Sequence, residues 1–272
     1  MTTIGFLGAG QLGEPMVVRL LGAGHEVVVY ARRGDVRARL REDGAVLAAS
    51  VADVAARSDI VISCLFSDAQ LREIGLGPDG FIANAKAGAL FVSHTTGNKV
   101  TLVELSQSVA SPPTILDAPV SGTADHIAQG KLTVLIGGPT KAVERVTPVL
   151  AAYAAPIVPT GGLGSALAIK LVNNILFAAN AQLVAAAAAA GEQLGIASGA
   201  LLEALSVCSG GSNAATFALG TGLGEFVKLA GPFLRKDVAA AVDAADVVGV
   251  DLGLLRSVIA DGPLDLLGIR AE

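Results

Sequence analysis

The chain contains few cysteines, few charged residues and no basic run, and each shortage excludes a class of protein. Cys64 and Cys208 are the only cysteines among 272 residues, which is too few for a disulfide framework or a metal-binding cluster and fits a reducing cytoplasm. We therefore expect no metal site. Hydrophobic residues make up 52% and charged residues 16%, so we expect a compact globular protein. The net charge is −5, and the most basic stretch, 32–41, is interrupted by Asp35. We therefore expect no nucleic-acid partner.

We expect neither a leader nor a membrane span in this chain. Residues 1–4 have no positively charged region and lead directly into an apolar run, so we expect no signal peptide. The most membrane-like window, 171–190, is mostly alanine and is interrupted by asparagine and glutamine. We interpret it as a buried core helix, and we expect a cytoplasmic protein without a membrane partner.

Short apolar runs alternate with helical patterns up to about residue 159. The runs are rich in valine and isoleucine and are not interrupted at every second position by polar residues, as is typical of strands buried on both faces. They lie at 4–7, 27–30, 60–65, 89–93, 115–117, 132–136 and 157–158. This alternation predicts an α/β fold with a doubly wound, mainly parallel sheet and helices on both of its faces.

Helix starts are signalled between these runs. Ser50 with Asp53, and Thr101 with Glu104, have the spacing of a capping box, in which a hydroxyl accepts the N–H of the residue three positions later. Pro139 suits the first turn of a helix, because its fixed φ is already helical. We therefore predict a helix start at each of these three places.

The second part of the chain has a different pattern, in which no convincing strand is predicted from residue 165 onward. Helices are predicted at 165–194, 198–208, 222–228, 232–248 and 252–259. The change predicts two domains, an α/β domain over 1–161 and an all-α domain over 162–272.

A glycine-rich loop, Gly-Ala-Gly-Gln-Leu-Gly at 8–13, stands between the first apolar run and the first helical pattern. In such a loop the first glycine allows a tight turn, the second lets the backbone approach a pyrophosphate, and the third lets helix pack on strand. Free N–H groups of the helix then meet the phosphates. We expect a dinucleotide to bind at Gly8, Gly10, Gln11, Leu12 and Gly13.

The end of the second apolar run predicts which dinucleotide binds. An NAD site usually has an acidic residue there for the ribose 2′-hydroxyl, whereas this chain has Ala31, Arg32 and Arg33. Guanidinium groups suit a 2′-phosphate, so we expect NADP and regard NAD as the weaker alternative. A solvated basic turn balanced by Asp35 is the other interpretation of these arginines.

Lys170 and Asn174 stand one helical turn apart in an apolar, alanine-rich helix. Residues 161–191 contain no other charged residue. A lysine in such surroundings has an easily lowered pKa, as a proton-transfer group near neutral pH requires. The alternative is a structural lysine whose amine extends along the helix to reach water.

Three further segments resemble signatures of the β-hydroxyacid dehydrogenase family, which includes 3-hydroxyisobutyrate dehydrogenases and several semialdehyde reductases. Residues 117–122, Asp-Ala-Pro-Val-Ser-Gly, are similar to its substrate signature. Residues 164–174 resemble its Gly-x5-Lys-x-x-Asn-Asn catalytic helix, and 235–237, Arg-Lys-Asp, its Lys-Asp-Leu motif. With the glycine loop, the resemblance covers 4 to about 250. It implies a Rossmann domain that is followed by an all-α substrate and dimerisation domain.

The resemblance also implies roles for single residues. The substrate carboxylate would be bound by Ser121, Gly122 and Thr123. Lys170 would take the substrate's hydroxyl proton during oxidation and return it during reduction, and Asn174 would orient the reacting oxygen. The cofactor would be further contacted by Leu65, Thr96 and Lys236.

Other interpretations of the same residues are a plain Ser-Gly turn at 121–122 and a solvated charged pair at 236–237. The three histidines, His25, His94 and His126, are expected to be structural or exposed. Cys64 is expected to be a small core residue.

Some positions depart from the family pattern. Thr123 replaces a second glycine, Ser93 replaces the usual aspartate, and 97–99 lack the usual proline. The resemblance implies an NADP-dependent enzyme for a small β-hydroxy acid or its aldehyde or keto partner, at least dimeric. An imine reductase is one alternative, although such proteins usually carry Asp or Tyr where this chain has Lys170. A non-catalytic NADP-binding module is the other alternative.

Overall fold

The computed structural model describes residues 2–267. In the first part of the chain, strands and helices alternate as predicted. Their bounds are β1 (Thr3–Leu7), α1 (Gly13–Gly22), β2 (Glu26–Tyr30), α2 (Gly34–Glu42), β3 (Val46–Leu47), α3 (Val51–Arg57), β4 (Ile60–Ser63), α4 (Asp68–Gly75), β5 (Leu90–Ser93), α5 (Lys99–Gln107), β6 (Thr114–Asp117), β7 (Val120–Ser121), α6 (Ala124–Ala128), β8 (Leu132–Gly137), α7 (Thr140–Leu150) and β9 (Ala154–Gly161).

These strands form one sheet in the order β3-β2-β1-β4-β5-β6-β8-β7, with β9 beside β8. Strands β1 to β6 pair in parallel. Strand β8 is antiparallel to β6 and β7 and parallel to β9. The strand order reverses beside β1, which is where open α/β sheets bind dinucleotides. The mainly parallel, doubly wound sheet is confirmed; the sequence does not predict β3 and β7, because each is two residues long.

Hydrophobic cores cover both faces of the sheet. Along β2, Val27 and Val29 belong to one core and Val28 belongs to the other. Met16 and Leu20 of α1 pack into the first of these cores. A strand with a core on each face needs an apolar residue at every position, which explains the continuous valine runs.

The predicted helix caps are partly confirmed. The Ser50 side chain accepts the Asp53 N–H at 3.1 Å and starts α3, as the spacing predicts. The predicted start at Thr101 is wrong, because α5 begins two residues earlier and Asn98 caps it by accepting the Val100 N–H at 2.9 Å. Thr101 is instead fully buried inside the helix. Pro139 stands immediately before α7.

The second part of the described chain contains helices and no strand. These helices are α8 (Ser165–Gln193), α9 (Ser198–Val207), α10 (Asn213–Thr221), α11 (Leu223–Val248) and α12 (Leu254–Asp261). The sequence does not predict α10, whose start is capped by the Ser212 hydroxyl as it accepts the Ala215 N–H at 3.2 Å.

The predicted division of α11 into 222–228 and 232–248 is wrong. Pro232 lies inside one continuous helix. Phe226, Leu234 and Val238 are buried in the same core and recur at helical spacing on both sides of the proline. Their burial offsets the backbone hydrogen bond that Pro232 removes.

The chain divides into two compact units, one that ends at Lys170 and one that begins at Leu171. The division therefore falls inside α8, and the first turn and a half of this helix belong by their contacts to the unit that contains the sheet. The sequence pattern places the boundary just before the helix, between 161 and 162, because it predicts where a helix forms and not which residues that helix contacts.

Helix α8 is long and apolar enough to cross a membrane when only length and composition are considered. Half of its most apolar 18-residue window is buried inside the protein. Core helices that cross no membrane meet the same two criteria.

Candidate active site

The glycine loop between β1 and α1 has the steric features of a dinucleotide site. Gly8 has φ +93°, and a Cβ there would collide with the Cys64 carbonyl oxygen. A Cβ on Gly13 would collide with the Gly8 carbonyl oxygen and lie 3.0 Å from the Phe6 ring. A Cβ on Gly10 would meet nothing within 4 Å, so this glycine faces open space. The first and third glycines are required by packing, and the second leaves room for a pyrophosphate.

The residues after Gly10 begin α1. Gln11 is exposed and Leu12 is half-buried. The Gly10 carbonyl accepts the Glu14 N–H at 2.9 Å, so the loop leads directly into the first turn of the helix. Leu65, at the end of the segment after β4, lies close to Gly8, 2.9 Å from where its Cβ would be. The predicted contact residues Gly8, Gly10 and Leu65 therefore belong to one surface.

The arginines after β2 differ in their partners. Arg33 forms an ion pair with Asp35 at 2.6 Å, and this pair holds the pKa of Asp35 well below its usual range. Arg39 bridges Asp35 at 3.3 Å and Glu14 at 2.6 Å, and its hydrogen bond lowers the pKa of Glu14. Arg32 is exposed, and no acidic residue within 2–267 forms an ion pair with it. Arg33 is therefore engaged in an ion pair, whereas the Arg32 guanidinium is exposed to solvent.

Ala31, directly before these arginines, is buried. It is 6% exposed, and its carbonyl accepts a hydrogen bond from Arg37 at 3.4 Å. The burial of Ala31 and this hydrogen bond therefore hold the start of the turn after β2 in place.

Thr96 follows β5 in a loop that is hydrogen-bonded to helix α4. The Asp68 carboxylate, in the first turn of α4, accepts the Asn98 N–H at 2.8 Å. A Cβ on Gly97 would collide with the same carboxylate. Thr96 itself is half-buried. The loop with Thr96 is therefore positioned by Asp68, a residue to which the sequence analysis gives no role.

Asp117, the first residue of the substrate signature, connects the sheet to α8. It is fully buried at the end of β6. Its Oδ1 accepts the Gly164 N–H at 2.7 Å, and its Oδ2 accepts the Leu167 N–H at 2.9 Å. A Cβ on Gly137 would lie 2.6 Å from Oδ1, so only glycine fits there. The carboxylate thus caps the first turn of the helix that carries Lys170.

The rest of the signature lies at the surface. Ser121 ends β7, where it pairs with Thr133 of β8, and its side chain is exposed. Gly122 has φ +140°, a conformation that favours glycine. The Thr123 N–H, which the resemblance assigns to the carboxylate, donates to His126 Nδ1 at 3.1 Å. An anion that binds this N–H must replace the imidazole.

Thr123 and His126 together form a capping box at the start of α6. This explains the threonine that replaces the family's glycine, since its hydroxyl lies 3.0 Å from His126 Nδ1. The sequence analysis misses this role of His126. The Thr-x-x-His spacing is the available signal, because it matches a capping box with histidine at the usual Glu or Gln position.

Lys170 and Asn174 lie in the first half of α8. Lys170 is half-buried, and Asn174 is 6% exposed and accepts a hydrogen bond from the Asn173 side chain at 3.2 Å. Lys236, on α11, is half-buried. Lys170 belongs to the first compact unit, together with the glycine loop and the substrate signature, whereas Asn174 and Lys236 belong to the second.

His94 is buried, at 3% exposed, directly after β5. Its ring contacts the Ala118 carbonyl oxygen through Nδ1 and the Tyr153 hydroxyl through Nε2, the latter at 2.7 Å. Burial lowers the pKa of His94 to about 4, and burial also raises the pKa of Cys64 to about 12. Both groups are therefore neutral at physiological pH, and Cys64 packs against the sheet core as predicted.

Known proteins share this arrangement over most of the chain. The model of the NAD binding domain of 6-phosphogluconate dehydrogenase matches residues 3–162. An uncharacterized oxidoreductase of Mycobacterium tuberculosis is 32% identical over 265 residues, which cover 93% of this chain and 89% of the relative. A 3-hydroxyisobutyrate dehydrogenase of Pseudomonas aeruginosa is 33% identical over 213 residues, which cover 78% of this chain and 72% of the relative.

Solved structures are similar to this chain over most of its length. The structure of Mycobacterium tuberculosis 3-hydroxyisobutyrate dehydrogenase with L-serine has a TM-score of 0.85 and 26% identity, and covers 96% of this chain and 92% of that chain. An imine reductase from Pseudomonas sp. shares the fold at a TM-score of 0.63 and 19% identity, with coverage of 95% and 91%. The chain belongs to the β-hydroxyacid dehydrogenase family. It is an NAD(P)-dependent oxidoreductase that acts on a CH–OH group.

Proposed function

We propose that the protein transfers a hydride between NADP(H) and a small β-hydroxy acid or its semialdehyde or keto partner, with Lys170 as the general acid and base. The observation that carries the proposal is the cap that Asp117 places on α8. Through this cap, the first residue of the substrate signature fixes the helix turns that lead to Lys170. A shared scaffold of this kind keeps a substrate-binding loop and a proton-transfer group in register.

Each residue has a distinct task in this reaction. The bound cofactor supplies the hydride or accepts it. During oxidation the neutral Lys170 amine takes the proton of the substrate hydroxyl, and during reduction the ammonium returns it to the carbonyl oxygen. The Ser121 hydroxyl and the Gly122 N–H donate to the substrate carboxylate. The Asn174 carboxamide hydrogen-bonds the reacting oxygen or the lysine, and so orients the proton transfer.

NADP is the proposed cofactor. The open space at Gly10 accommodates a pyrophosphate, and the exposed Arg32 supports binding of the 2′-phosphate. Arg33 contributes less in this proposal, because Asp35 already engages it at 2.6 Å. Lys236 completes the proposed cofactor contacts from the second unit.

The catalytic assignment is tested by NADPH oxidation with a panel of semialdehydes and cyclic imines. Lys170→Ala is expected to lower kcat for semialdehydes by about a thousandfold, since positioned acid–base groups contribute factors of this order. The exposed Lys141 supplies a control, Lys141→Ala, in which activity is unchanged. Equal rates in the native protein and in Lys170→Ala would refute the role of Lys170.

Two other functions are separated by the same panel. Reduction of imines alone would identify the imine reductase activity that the shared fold permits. NADPH binding without turnover of any substrate would identify a non-catalytic module. The presence of Lys170, Asn174 and Ser121 in one chain supports the dehydrogenase over both.

The helical unit supports self-association. Val172, Leu176 and Leu183 recur at helical spacing on α8 and are 57%, 48% and 55% exposed. An apolar stripe of this kind is stabilised when a second copy covers it. We therefore propose a homodimer or larger homo-oligomer, to be checked by light scattering on native protein and on Leu176→Asp, which is expected to dissociate. A cytoplasmic location remains part of the proposal, supported by two free cysteines.

A further inference from the structure

The buried pair of His94 and Tyr153 has no task in the reaction proposed above. His94 is 3% exposed, and Tyr153, between α7 and β9, is fully buried. Their rings meet edge to face, with centroids 5.8 Å apart and planes at 83°. A polar pair at this depth must satisfy its N and O atoms, because a buried group left without a partner costs about 1–3 kcal/mol.

The partners of the imidazole fix its tautomer. Nδ1 contacts the Ala118 carbonyl oxygen, which can only accept, so Nδ1 carries the hydrogen and donates it. Nε2 is then the acceptor, and the Tyr153 hydroxyl donates to it at 2.7 Å. The neutral ring uses both of its nitrogens, one toward the backbone and one toward the tyrosine.

Ala118 needs this donor because of its place in the chain. Its N–H donates to the Ser93 carbonyl at 2.7 Å. The parallel register between β5 and β6 ends one residue earlier, at Asp117. The Ala118 carbonyl is buried beyond the end of the strand ladder, so a side chain must hydrogen-bond it.

We propose that His94 is a positioning residue for the substrate: by holding the Ala118 carbonyl, it fixes the short segment that presents the Ser121 hydroxyl to the carboxylate. The inference rests on the proposed function, in which Ser121 binds that carboxylate. The backbone of His94 is itself held in place, since the backbone N–H of His94 donates to the Ser63 carbonyl at 2.8 Å. Because Thr96 lies two residues after His94, the same imidazole connects the cofactor loop to the substrate loop.

Three variants separate positioning from stability. His94→Phe keeps a ring of similar size and removes both hydrogen bonds. His94→Asn places an amide nitrogen close to the position of Nδ1 and keeps the donor to Ala118. Tyr153→Phe removes only the hydroxyl. Circular dichroism on each variant establishes that the protein is folded before kinetics are compared.

The kinetic result expected is specific to the substrate. His94→Phe raises KM for the hydroxy acid about tenfold, as a displaced binding group does, while Kd for NADPH stays within about twofold. His94→Asn restores KM to within about threefold of the native value. A folded His94→Phe with native KM, or His94→Asn as impaired as His94→Phe, would overturn the proposal.

A second measurement does not depend on turnover. Amide hydrogen exchange of residues 120–123 is expected to be faster in His94→Phe and native-like in His94→Asn. Equal exchange in native protein and His94→Phe overturns the positioning role. If native protein reduces no semialdehyde, the proposed function fails and the exchange result still decides whether His94 orders the segment. If His94→Phe does not fold, His94→Leu, which removes the same donor to Ala118, replaces it in this comparison, and native-like exchange in His94→Leu overturns the role. Tyr153→Phe keeps the Nδ1 donor and is the control, which is expected to exchange like native protein.

Discussion

Replacement of the Asp117 carboxylate tests the connection between the sheet and α8. Asp117→Asn keeps the size of the side chain, but its amide can accept only one of the two N–H groups that the carboxylate binds at 2.7 and 2.9 Å. The NH2 group faces the other N–H, so two donors meet in a fully buried place. One charge-assisted bond is lost, at about 1.5–3 kcal/mol, and the negative charge at the helix N-terminus is lost as well, at about 0.3–1 kcal/mol. We expect a total loss of about 2–4 kcal/mol in the free energy of unfolding.

Urea unfolding followed by circular dichroism measures this loss. Tryptophan fluorescence cannot be used, because the chain contains no tryptophan. The two compact units can unfold separately, so the transition of the sheet-containing unit is the one to compare. The exposed Asp79 supplies the control, and Asp79→Asn is expected to stay within about 0.5 kcal/mol of the native protein. An equally small effect of Asp117→Asn would refute the cap as a stabilising contact.

Three further predictions concern the cofactor, pH and the substrate. Arg32→Ala should raise Kd for NADPH at least about tenfold more than Kd for NADH, and more than Arg33→Ala does, in fluorescence titrations; equal losses would contradict the assignment of Arg32. Because His94 has a pKa of about 4 in the fold and 6.5 when unfolded, the unfolded chain binds the proton more tightly. Stability should therefore be complete above pH 6.5 and fall by up to about 3 kcal/mol as pH drops to 4, and His94→Asn should remove this component in urea titrations at several pH values. His126→Gln should leave KM near native, since it preserves the cap, whereas His126→Ala frees the Thr123 N–H and should lower KM; unchanged KM in His126→Ala would show that no anion competes for that N–H.

The central strands were predictable because most of their positions are apolar and buried. Val27, Val28 and Val29 are each buried, on alternating faces, and their uninterrupted run has few other interpretations. The glycine loop was predictable for a different reason: collisions force Gly8 and Gly13 to be glycine, so sequence and sterics report the same constraint. Features that depend on neighbouring residues in the sequence can therefore be predicted from the sequence.

Contacts between distant segments were not predictable. His94 with Tyr153 and Asp117 with Leu167 join residues 59 and 50 positions apart, and nothing in the local sequence marks either pair. The continuity of α11 across Pro232 was missed for the same reason, because it depends on a core built from other helices. The sequence analysis considered only the low helix propensity of Pro232, and the burial of the residues on both sides of it stabilises the helix by more than the proline destabilises it.

The contrast between the two thiols has a practical consequence. Cys208 is exposed after α9, whereas Cys64 is held protonated by burial, with a pKa of about 12. Alkylating reagents and peroxides attack thiolates, so mild treatment will modify the helical unit and spare the wall behind the glycine loop. A fluorophore attached under such conditions will mark Cys208, and Cys64, whose carbonyl oxygen lies close to Gly8, will react more slowly.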